Sequence, residues 1–131
     1  MKRAVVIVDS SVWIDYLAGE VIEEVEAAAG EARLVLSPLA IAEVLSGDLT
    51  PRYREVVGWF LQEFPIHPTP LGHWLDVADL RRMLRGKGIN VTIPDAHVAQ
   101  CALDLNATLL TRDDIFHRIS AHTSLRLAQL R

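Results

Sequence analysis

The chain has 131 residues and a formal net charge of −4; half of its residues are hydrophobic and 23% are charged. These values predict one folded domain over residues 1–131, with enough apolar side chains for a core, and argue against a disordered chain. The acidic balance argues against a protein that coats nucleic acid with a uniformly basic surface, but it allows an acidic enzyme site beside a local basic patch.

Cysteine content and hydropathy indicate the compartment. Cys101 is the only cysteine, so the chain cannot form an internal disulfide or a zinc site built from several thiolates. The apolar run at residues 4–8 is too short for a signal peptide, and no run approaches the roughly 18 apolar residues of a membrane span. We therefore expect a protein of the reducing cytoplasm, with no membrane partner.

The first half of the chain is predicted to contain two strands and four helices. The continuous β-branched run at residues 4–8 is typical of a strand buried on both faces. A second, shorter strand is predicted at residues 34–37, where Ser37 is a suitable N-cap and Pro38 a suitable first residue for the next helix. The predicted helices cover residues 10 to about 19, 20–30, 38–45 and 51–64.

The second half repeats this alternation. The prolines of the extended stretch 64–68 favour an edge position in a sheet. Helices are predicted at 71–85, 92–105 and 113–120, with strands at 107–111 and 124–130. Alternating strands and helices predict an α/β fold: a three-layer sandwich with a central, mainly parallel sheet of four to five strands and helices on both faces.

Acidic residues occur where predicted strands end and helices begin: Asp9, Asp95 and Asp113. Because parallel strands end along one edge of a sheet, we expect these side chains to converge. A fourth acid, Glu43, lies inside the apolar helical stretch 38–45. Two carboxylates about 4 Å apart repel each other by roughly 1–4 kcal/mol in water-like to surface-like dielectric. A convergent set therefore indicates a bound hard cation.

Helix capping offers another explanation for three of these acids. Asp9 and Asp113 are placed to cap the helices that follow them, and Asp95 is placed to close a capping box with Thr92. Glu43 is in mid-helix and caps nothing, so its alternative role is a solvent-facing side chain. One shared cation explains all four positions together, whereas caps and solvent exposure require four separate causes.

The type of ligand indicates the cation and the reaction. Carboxylates without cysteine or paired histidine ligands favour Mg²⁺ or Mn²⁺ over Zn²⁺. The sequence has neither a glycine-rich nucleotide loop nor a G-x-S-x-G nucleophile motif. His97 follows Asp95 by two residues, so on a helix its side chain is turned away from that acid. We therefore predict that His97 lies on the helix surface or is half-buried. We interpret the acids as catalytic metal ligands for phosphodiester cleavage.

Two further residues are candidates for positioning a substrate. Ser10 follows Asp9 and is placed to orient water or phosphate, although helix capping explains it equally well. Arg112 stands next to Asp113 and is placed to contact a phosphate backbone. A basic cluster ends the predicted helix 71–85, where the helix dipole alone also favours cations; it contains Arg81, Arg82, Arg85 and Lys87.

Four segments occur in the order and at about the spacing of a known family: IVDSSVWIDYL (7–17), LSPLAIAEVLSG (36–47), IPDAHVAQCAL (93–103) and LLTRDDIFHRI (109–119). With them the chain resembles PIN-domain ribonucleases, specifically the VapC-type toxins of toxin–antitoxin pairs. The resemblance implies Mg²⁺ or Mn²⁺ dependence, an RNA substrate, a homodimer and a VapB-type antitoxin. It also implies that the family's four acidic residues correspond to Asp9, Glu43, Asp95 and Asp113, and that Ser10 corresponds to its common Ser/Thr.

The last segment departs from the family pattern. Many relatives have T-x-D-x-D-F there, whereas this chain has Ile115 in place of the second acid, which leaves the role of Asp114 open. Two alternatives within the fold are a non-catalytic module that binds RNA or protein and a solitary RNA-processing nuclease. Receiver-type and D-x-D phosphatase enzymes fit less well, because serines follow Asp9 and no lysine lies beyond Lys87.

Overall fold

The computed structural model describes residues 4–130, apart from the side chain of Gln129. The outer limits of the predicted domain, residues 1–3 and 131, lie outside this range. The described residues form β1 (Val6–Val8), α1 (Ser10–Leu17), α2 (Glu23–Gly30), α3 (Pro38–Leu45), α4 (Pro51–Leu61), α5 (Leu71–Gly86), α6 (Ile93–Leu105), β2 (Thr108–Thr111), α7 (Asp114–Ser120) and β3 (Arg126–Gln129). Within them, no helix combines the length and apolar character needed to cross a membrane.

The three strands form a parallel sheet in the order β1-β2-β3. Val6 pairs with Thr108 in β2, and Leu109 of β2 pairs with Leu127 in β3. The final strand predicted in the tail is therefore confirmed. Since β1 and β2 are neighbours but far apart in sequence, the intervening helices must cross over the sheet, as parallel pairing requires.

The predicted strands at 34–37 and 64–68 are not regular strands, and the prediction of four to five strands is too high by this measure. Each segment makes a single parallel bridge, Val6 with Leu34 and Leu36 with Ile66, which extends the sheet beyond β1. Prolines explain the short pairing because they lack the N–H that a strand ladder needs. Those that flank the two bridged segments are Pro38, Pro65 and Pro68.

Alternate strand residues enter two separate cores. Ile7 and Leu109 pack on one face of the sheet with apolar residues of α5, α6 and α7. Val8 and Leu110 pack on the other face with residues of α1, α2, α3 and α4. Because side chains alternate along a strand, this division places helices on both faces of the sheet and confirms the predicted three-layer α/β fold.

Candidate metal centre

Asp9 directly follows β1 and is buried, with 5% of its surface exposed. It stands at the N-cap position of α1, but its side chain makes no cap hydrogen bond. Its Oδ2 instead accepts hydrogen bonds from the hydroxyls of Ser11 at 2.9 Å and Thr111 at 3.0 Å. Burial raises the pKa of Asp9, and these hydrogen bonds oppose the rise. Helix capping therefore does not explain Asp9.

Asp113 lies two residues beyond the end of β2 and is exposed. Its Oδ1 accepts the backbone N–H of Ile115 at 3.1 Å, so the predicted cap of α7 is present. Its own N–H donates to the Thr111 hydroxyl at 2.9 Å. Thr111 thus joins Asp9 and Asp113 at the ends of neighbouring strands. No role for this threonine was predicted from the sequence, although the T-x-D spacing of the last segment contained the signal.

Asp95 occupies the third position of α6 and is half-buried. Its N–H donates to the hydroxyl of Thr92, the N-cap, at 3.3 Å, which is one of the two hydrogen bonds of the predicted capping box. Burial raises the pKa of Asp95, a hydrogen bond with Thr92 lowers it, and the charges of Asp113 and Asp9 raise it further. Asp95 therefore has a local role in the helix and also lies within the field of the other acids.

Glu43 is exposed on α3, but it is not an isolated surface acid. Partial burial raises its pKa, and the charges of Asp9 and Asp95 raise it further. The side chain of Ser10 is hydrogen-bonded to Glu43 and lowers the pKa. The alternative that Glu43 is a solvent-facing side chain is thus correct about its exposure. It does not account for Asp9, Asp95 and Ser10, which all act on the Glu43 carboxyl group.

We call Asp9, Glu43, Asp95 and Asp113 the acidic quartet. Charge interactions join Asp9 to Asp113, Glu43 to both Asp9 and Asp95, and Asp95 to both Asp9 and Asp113. Among residues 4–130, the charged groups that act on the pKa of Asp9, Glu43 or Asp95 are other members of the quartet. Such mutual repulsion in a set of oxygen donors fits a site for a hard divalent cation.

The spacing of the quartet limits how it binds a cation. Within residues 4–130, the one group of three or more potential ligands whose atoms all lie within 4.8 Å of one another is His67, His73 and Cys101. The quartet is therefore wider than a full set of direct ligands around one ion. This spacing suits Mg²⁺, which keeps several waters and binds proteins through one or two carboxylates.

Arg112 makes contacts that its sequence position did not indicate. Its guanidinium donates to Asp15 of α1 at 2.5 Å and also to Glu20. The hydrogen bonds that Arg112 donates to Glu20 and Asp15 raise its pKa. Its predicted contact with substrate stays a prediction, and the structure adds a second role in joining the β2–α7 connection to α1.

The structure also shows the surroundings of the basic cluster at the end of α5 and of the last family segment. Arg81 is half-buried and donates to the Val91 carbonyl at 2.9 Å, so it stabilises the turn after α5. The rest of the basic cluster is exposed: Arg82, Arg85 and Lys87. Ile115, at the position where many relatives carry an acid, packs against the hydrophobic core. Asp114 is exposed in the first turn of α7.

The expectation for His97 was wrong. The helix does turn this residue away from Asp95, but the ring is completely buried rather than at the surface. It lies between Ser37, at 2.8 Å from Nε2, and His73, at 2.8 Å from Nδ1. These partners come from distant parts of the chain, so no local spacing in the sequence could have indicated them.

An apolar groove borders the quartet. It has a volume of about 280 Å³, and Glu43 is part of its lining. Its apolar lining comes from α1, α3, α4 and the α3–α4 connection and includes Ile14, Leu17, Val44, Leu49, Tyr53 and Val57. Ile14 is 52% exposed, which is high for a large apolar side chain next to a charged site. The acidic edge thus adjoins a surface suited to an apolar partner.

Comparisons with known proteins agree with this architecture. A family model described as PIN domain matches residues 6–121. The fold is similar to DNA-bound VapBC from Salmonella typhimurium, with a TM-score of 0.82 and 20% identity over 97% of this chain and 98% of that chain. It is also similar to VapBC2 from Rickettsia felis, bound to a promoter DNA fragment (TM-score 0.79, 19% identity, 95% and 98% covered), and to VapBC-5 from Mycobacterium tuberculosis (0.72, 20%, 98% and 100%).

Proposed function

The chain belongs to the PIN-domain family, and we propose that it is a metal-dependent endoribonuclease, the toxin of a toxin–antitoxin pair. The observation that carries the proposal is the acidic quartet: four carboxylates from separate segments repel one another at the edge where β1 and β2 end. A protein maintains such repulsion more readily where a cation offsets it.

We propose Mg²⁺ or Mn²⁺ as the cation, held directly by Asp9 and Asp95, with Glu43 and Asp113 completing the site directly or through water. Two direct carboxylate ligands and several waters are the usual coordination of Mg²⁺ in proteins. When bound, the cation stabilises charge on a phosphate oxygen and lowers the pKa of a bound water.

The surrounding side chains fix the carboxylates in place. Ser11 and Thr111 both donate to Asp9 Oδ2, so that oxygen is oriented from two sides. Ser10 is hydrogen-bonded to Glu43, and positioning Glu43 is therefore the role we assign to it first. Arg112 adjoins Asp113 in sequence, and we keep it as a candidate contact for the phosphate backbone.

The proposed substrate is single-stranded or looped RNA, the form in which unstacked bases are accessible to a protein. The proposed partner is a VapB-type antitoxin, supported by the similarity to VapBC complexes and by the apolar groove that adjoins Glu43. A cytoplasmic homodimer completes the proposal and rests on the family resemblance.

Cleavage of RNA by the purified chain tests the proposal. We expect cleavage of single-stranded RNA in Mg²⁺ and none in EDTA. Asp9→Asn and Asp95→Asn should lose about 100-fold or more in rate, because losing a metal ligand removes several kcal/mol of charge stabilisation. Asp79→Asn, the same change at an exposed position of α5, is the matched control and should cleave like the parent.

Three results would contradict the proposal. If Asp9→Asn and Asp95→Asn cleave as fast as the parent, the quartet is not the active site. RNA binding without any Mg²⁺-dependent cleavage would instead identify a non-catalytic module. A nuclease whose neighbouring reading frame encodes no antitoxin would be a solitary RNA-processing enzyme.

A further inference from the structure

A second polar cluster lies in the protein interior, between α3, α5 and α6. We call it the histidine network; its members are Ser37, His67, His73, His97, Gln100 and Asp104. Its main chain of contacts runs from Ser37 to His97 at 2.8 Å, from His97 to His73 at 2.8 Å, and from His73 to Asp104 at 2.6 Å. The sequence did not predict that these residues form a group.

Two groups determine which atom donates in each hydrogen bond: the backbone N–H of Thr69, which can only donate, and the carboxylate of Asp104, which can only accept. The Thr69 N–H donates to His67 Nδ1 at 2.9 Å, so the proton of this imidazole is on Nε2, which donates to Asp104 at 3.0 Å. Asp104 also accepts from Gln100 at 2.8 Å, and hydrogen bonds from Gln100 and His73 lower its pKa. A carboxylate can only accept, so His73 Nδ1 donates to it.

The rest of the chain of hydrogen bonds is then determined. With one proton on each ring, His73 Nε2 accepts from His97 Nδ1, and His97 Nε2 accepts from the Ser37 hydroxyl. The Ser37 oxygen in turn accepts the Ala40 N–H at 3.2 Å, as the N-cap of α3. Every ring nitrogen of the network is thus paired without any added group.

The same assignment argues against a transition metal at His67, His73 and Cys101, although their ligand atoms lie within 4.8 Å of one another. A metal on His67 Nε2 would move the imidazole proton to Nδ1, where the Thr69 N–H already points. Burial also raises the pKa of the Cys101 thiol to about 12, which disfavours the thiolate that a metal requires. A role as nucleophile is unavailable to Ser37, whose surface is 0% exposed.

The position of the Ser37–His97 contact suggests a role for the network. Ser37 is the N-cap of α3, and Glu43 follows it by six residues, about 9 Å along the helix axis. His97 is on α6, two residues after Asp95 and about 200° around the helix from it. Trp74 stacks on the His97 ring at 4.9 Å with an interplanar angle of 12°, which restricts its rotation.

The two helices that meet at this contact also carry like charges. Glu43 on α3 and Asp95 on α6 repel each other, which favours separation of the helices at the edge of the site. The buried hydrogen bond between Ser37 and His97 opposes that separation. A hydrogen bond inside a protein is stronger than the same bond in water, because the local dielectric is low.

We propose that the Ser37–His97 hydrogen bond is a positioning contact for the acidic quartet: it fixes α3 against α6 and so sets the distance between Glu43 and Asp95. Neither residue touches the cation or the substrate; both act through the two acids. The inference rests on the proposed function, since it concerns how the quartet binds its cation.

Calorimetric titration with Mn²⁺ tests the proposal with two variants. His97→Phe keeps an aromatic ring on Trp74 but removes both hydrogen bonds of His97. Ser37→Ala removes the hydroxyl, and with it both the bond to His97 and the N-cap hydrogen bond from Ala40. We expect each variant to raise the dissociation constant for Mn²⁺ by about 10- to 100-fold, as outer-shell changes at metal sites do. In the double variant the two effects on Mn²⁺ affinity should be less than additive, because both changes break the Ser37–His97 bond.

A control separates positioning from general loss of stability. Leu80→Ala shortens a buried core residue of α5, a helix that carries no member of the quartet, and should lower the melting temperature without changing Mn²⁺ affinity. The proposal is overturned if Ser37→Ala binds Mn²⁺ like the parent, or if Leu80→Ala weakens binding as much as His97→Phe. If His97→Phe does not fold, Ser37→Ala alone decides.

Asp9→Asn distinguishes failure of this inference from failure of the proposed function. If Asp9→Asn also binds Mn²⁺ like the parent, or if the parent binds none, the quartet is not the cation site and both proposals fall. If Asp9→Asn loses binding while Ser37→Ala retains it, only the positioning role is wrong.

Discussion

The acidic quartet and the histidine network are two clusters of ionisable groups, and α3 and α6 contribute to both. They differ in whether each polar group has a hydrogen-bond partner and whether opposite charges offset each other. In the network, Asp104 accepts from two histidines and from Gln100, and each imidazole nitrogen has a partner. In the quartet, the interacting groups carry the same charge, and the pKa of Asp9, Glu43 and Asp95 is raised. The hydrogen bonds of the network are satisfied by its own members and by neighbouring backbone N–H groups, whereas the repulsion within the quartet would be offset by the cation that we propose.

Breaking the network should have the largest effect on stability. His73→Leu removes the acceptor of His97 Nδ1–H and one donor to Asp104. Each buried group left without a partner costs about 1–3 kcal/mol, so the free energy of unfolding should fall by at least that amount. Urea denaturation in EDTA measures the change. His117→Leu, at an exposed position of α7, is the control; equal stability losses in the two variants would show that the network is not complete in the way described.

Acid should weaken the network through His97. Burial, and after it the neighbouring histidines, lowers the pKa of His97 to about 4, while an unfolded histidine has a pKa of about 6.5. The unfolded chain therefore binds more protons between these values. The stability that neutral His97 contributes is present above about pH 6.5 and is lost as the pH falls toward 4, by up to about 1.4 kcal/mol per pH unit.

Denaturation of the parent and of His97→Phe across this pH range measures that contribution. The parent should lose more stability than the variant as the pH falls, because phenylalanine takes up no proton. Identical pH profiles for the two proteins would mean that His97 is already charged in the folded state, and the tautomers assigned to the network would then be wrong.

The effect of pH on stability through the quartet should be opposite in sign to that through His97, and smaller. Burial raises the pKa of Asp95, so its contribution to stability is present below the unfolded pKa of about 4 and is lost as the pH rises through the folded value. At neutral pH, Asp95→Asn should therefore stabilise the metal-free protein, by less than about 1 kcal/mol because the carboxyl is partly exposed.

Melting curves with EDTA and with Mg²⁺ measure both parts of this prediction. In EDTA, the melting temperature of Asp95→Asn should be higher than that of the parent. Mg²⁺ should then raise the melting temperature of the parent more than that of the variant. Asp79→Asn is the control for loss of a surface charge. A variant that melts below the parent in EDTA would show that the ionised carboxyl stabilises the fold.

Local sequence signals were sufficient for much of the fold. The β-branched run before Asp9 predicted β1, and Ser37 and Thr92 predicted where α3 and α6 begin, since both accept the expected cap hydrogen bonds. The convergence of the acids followed from the rule that parallel strands end along one edge. Capping and metal binding both favour an acid after a strand, so the sequence could not show that Asp113 caps a helix while Asp9 does not.

Contacts between distant segments were not predictable. His73 and His97 meet although 24 residues separate them, and Arg112 reaches Asp15 across 97 residues. Neither pair has a recurrent spacing, because the partners are brought together by the packing of α5 on α6 and by the sheet. The segments that contain Leu34 and Ile66 were predicted as strands because they have the apolar pattern of a strand. Each forms only a single bridge, because the neighbouring prolines limit the pairing.

Glu43 allows the most direct test of the central claim, that the four carboxylates form one cation site. It caps no helix and lies at the surface, so Glu43→Gln should leave the fold intact and change the site alone. Calorimetric titration should show that the parent binds Mn²⁺ and that Glu43→Gln binds it about tenfold or more weakly. Glu55→Gln on α4 should bind like the parent. Equal Mn²⁺ affinity in the parent and in Glu43→Gln would contradict the claim.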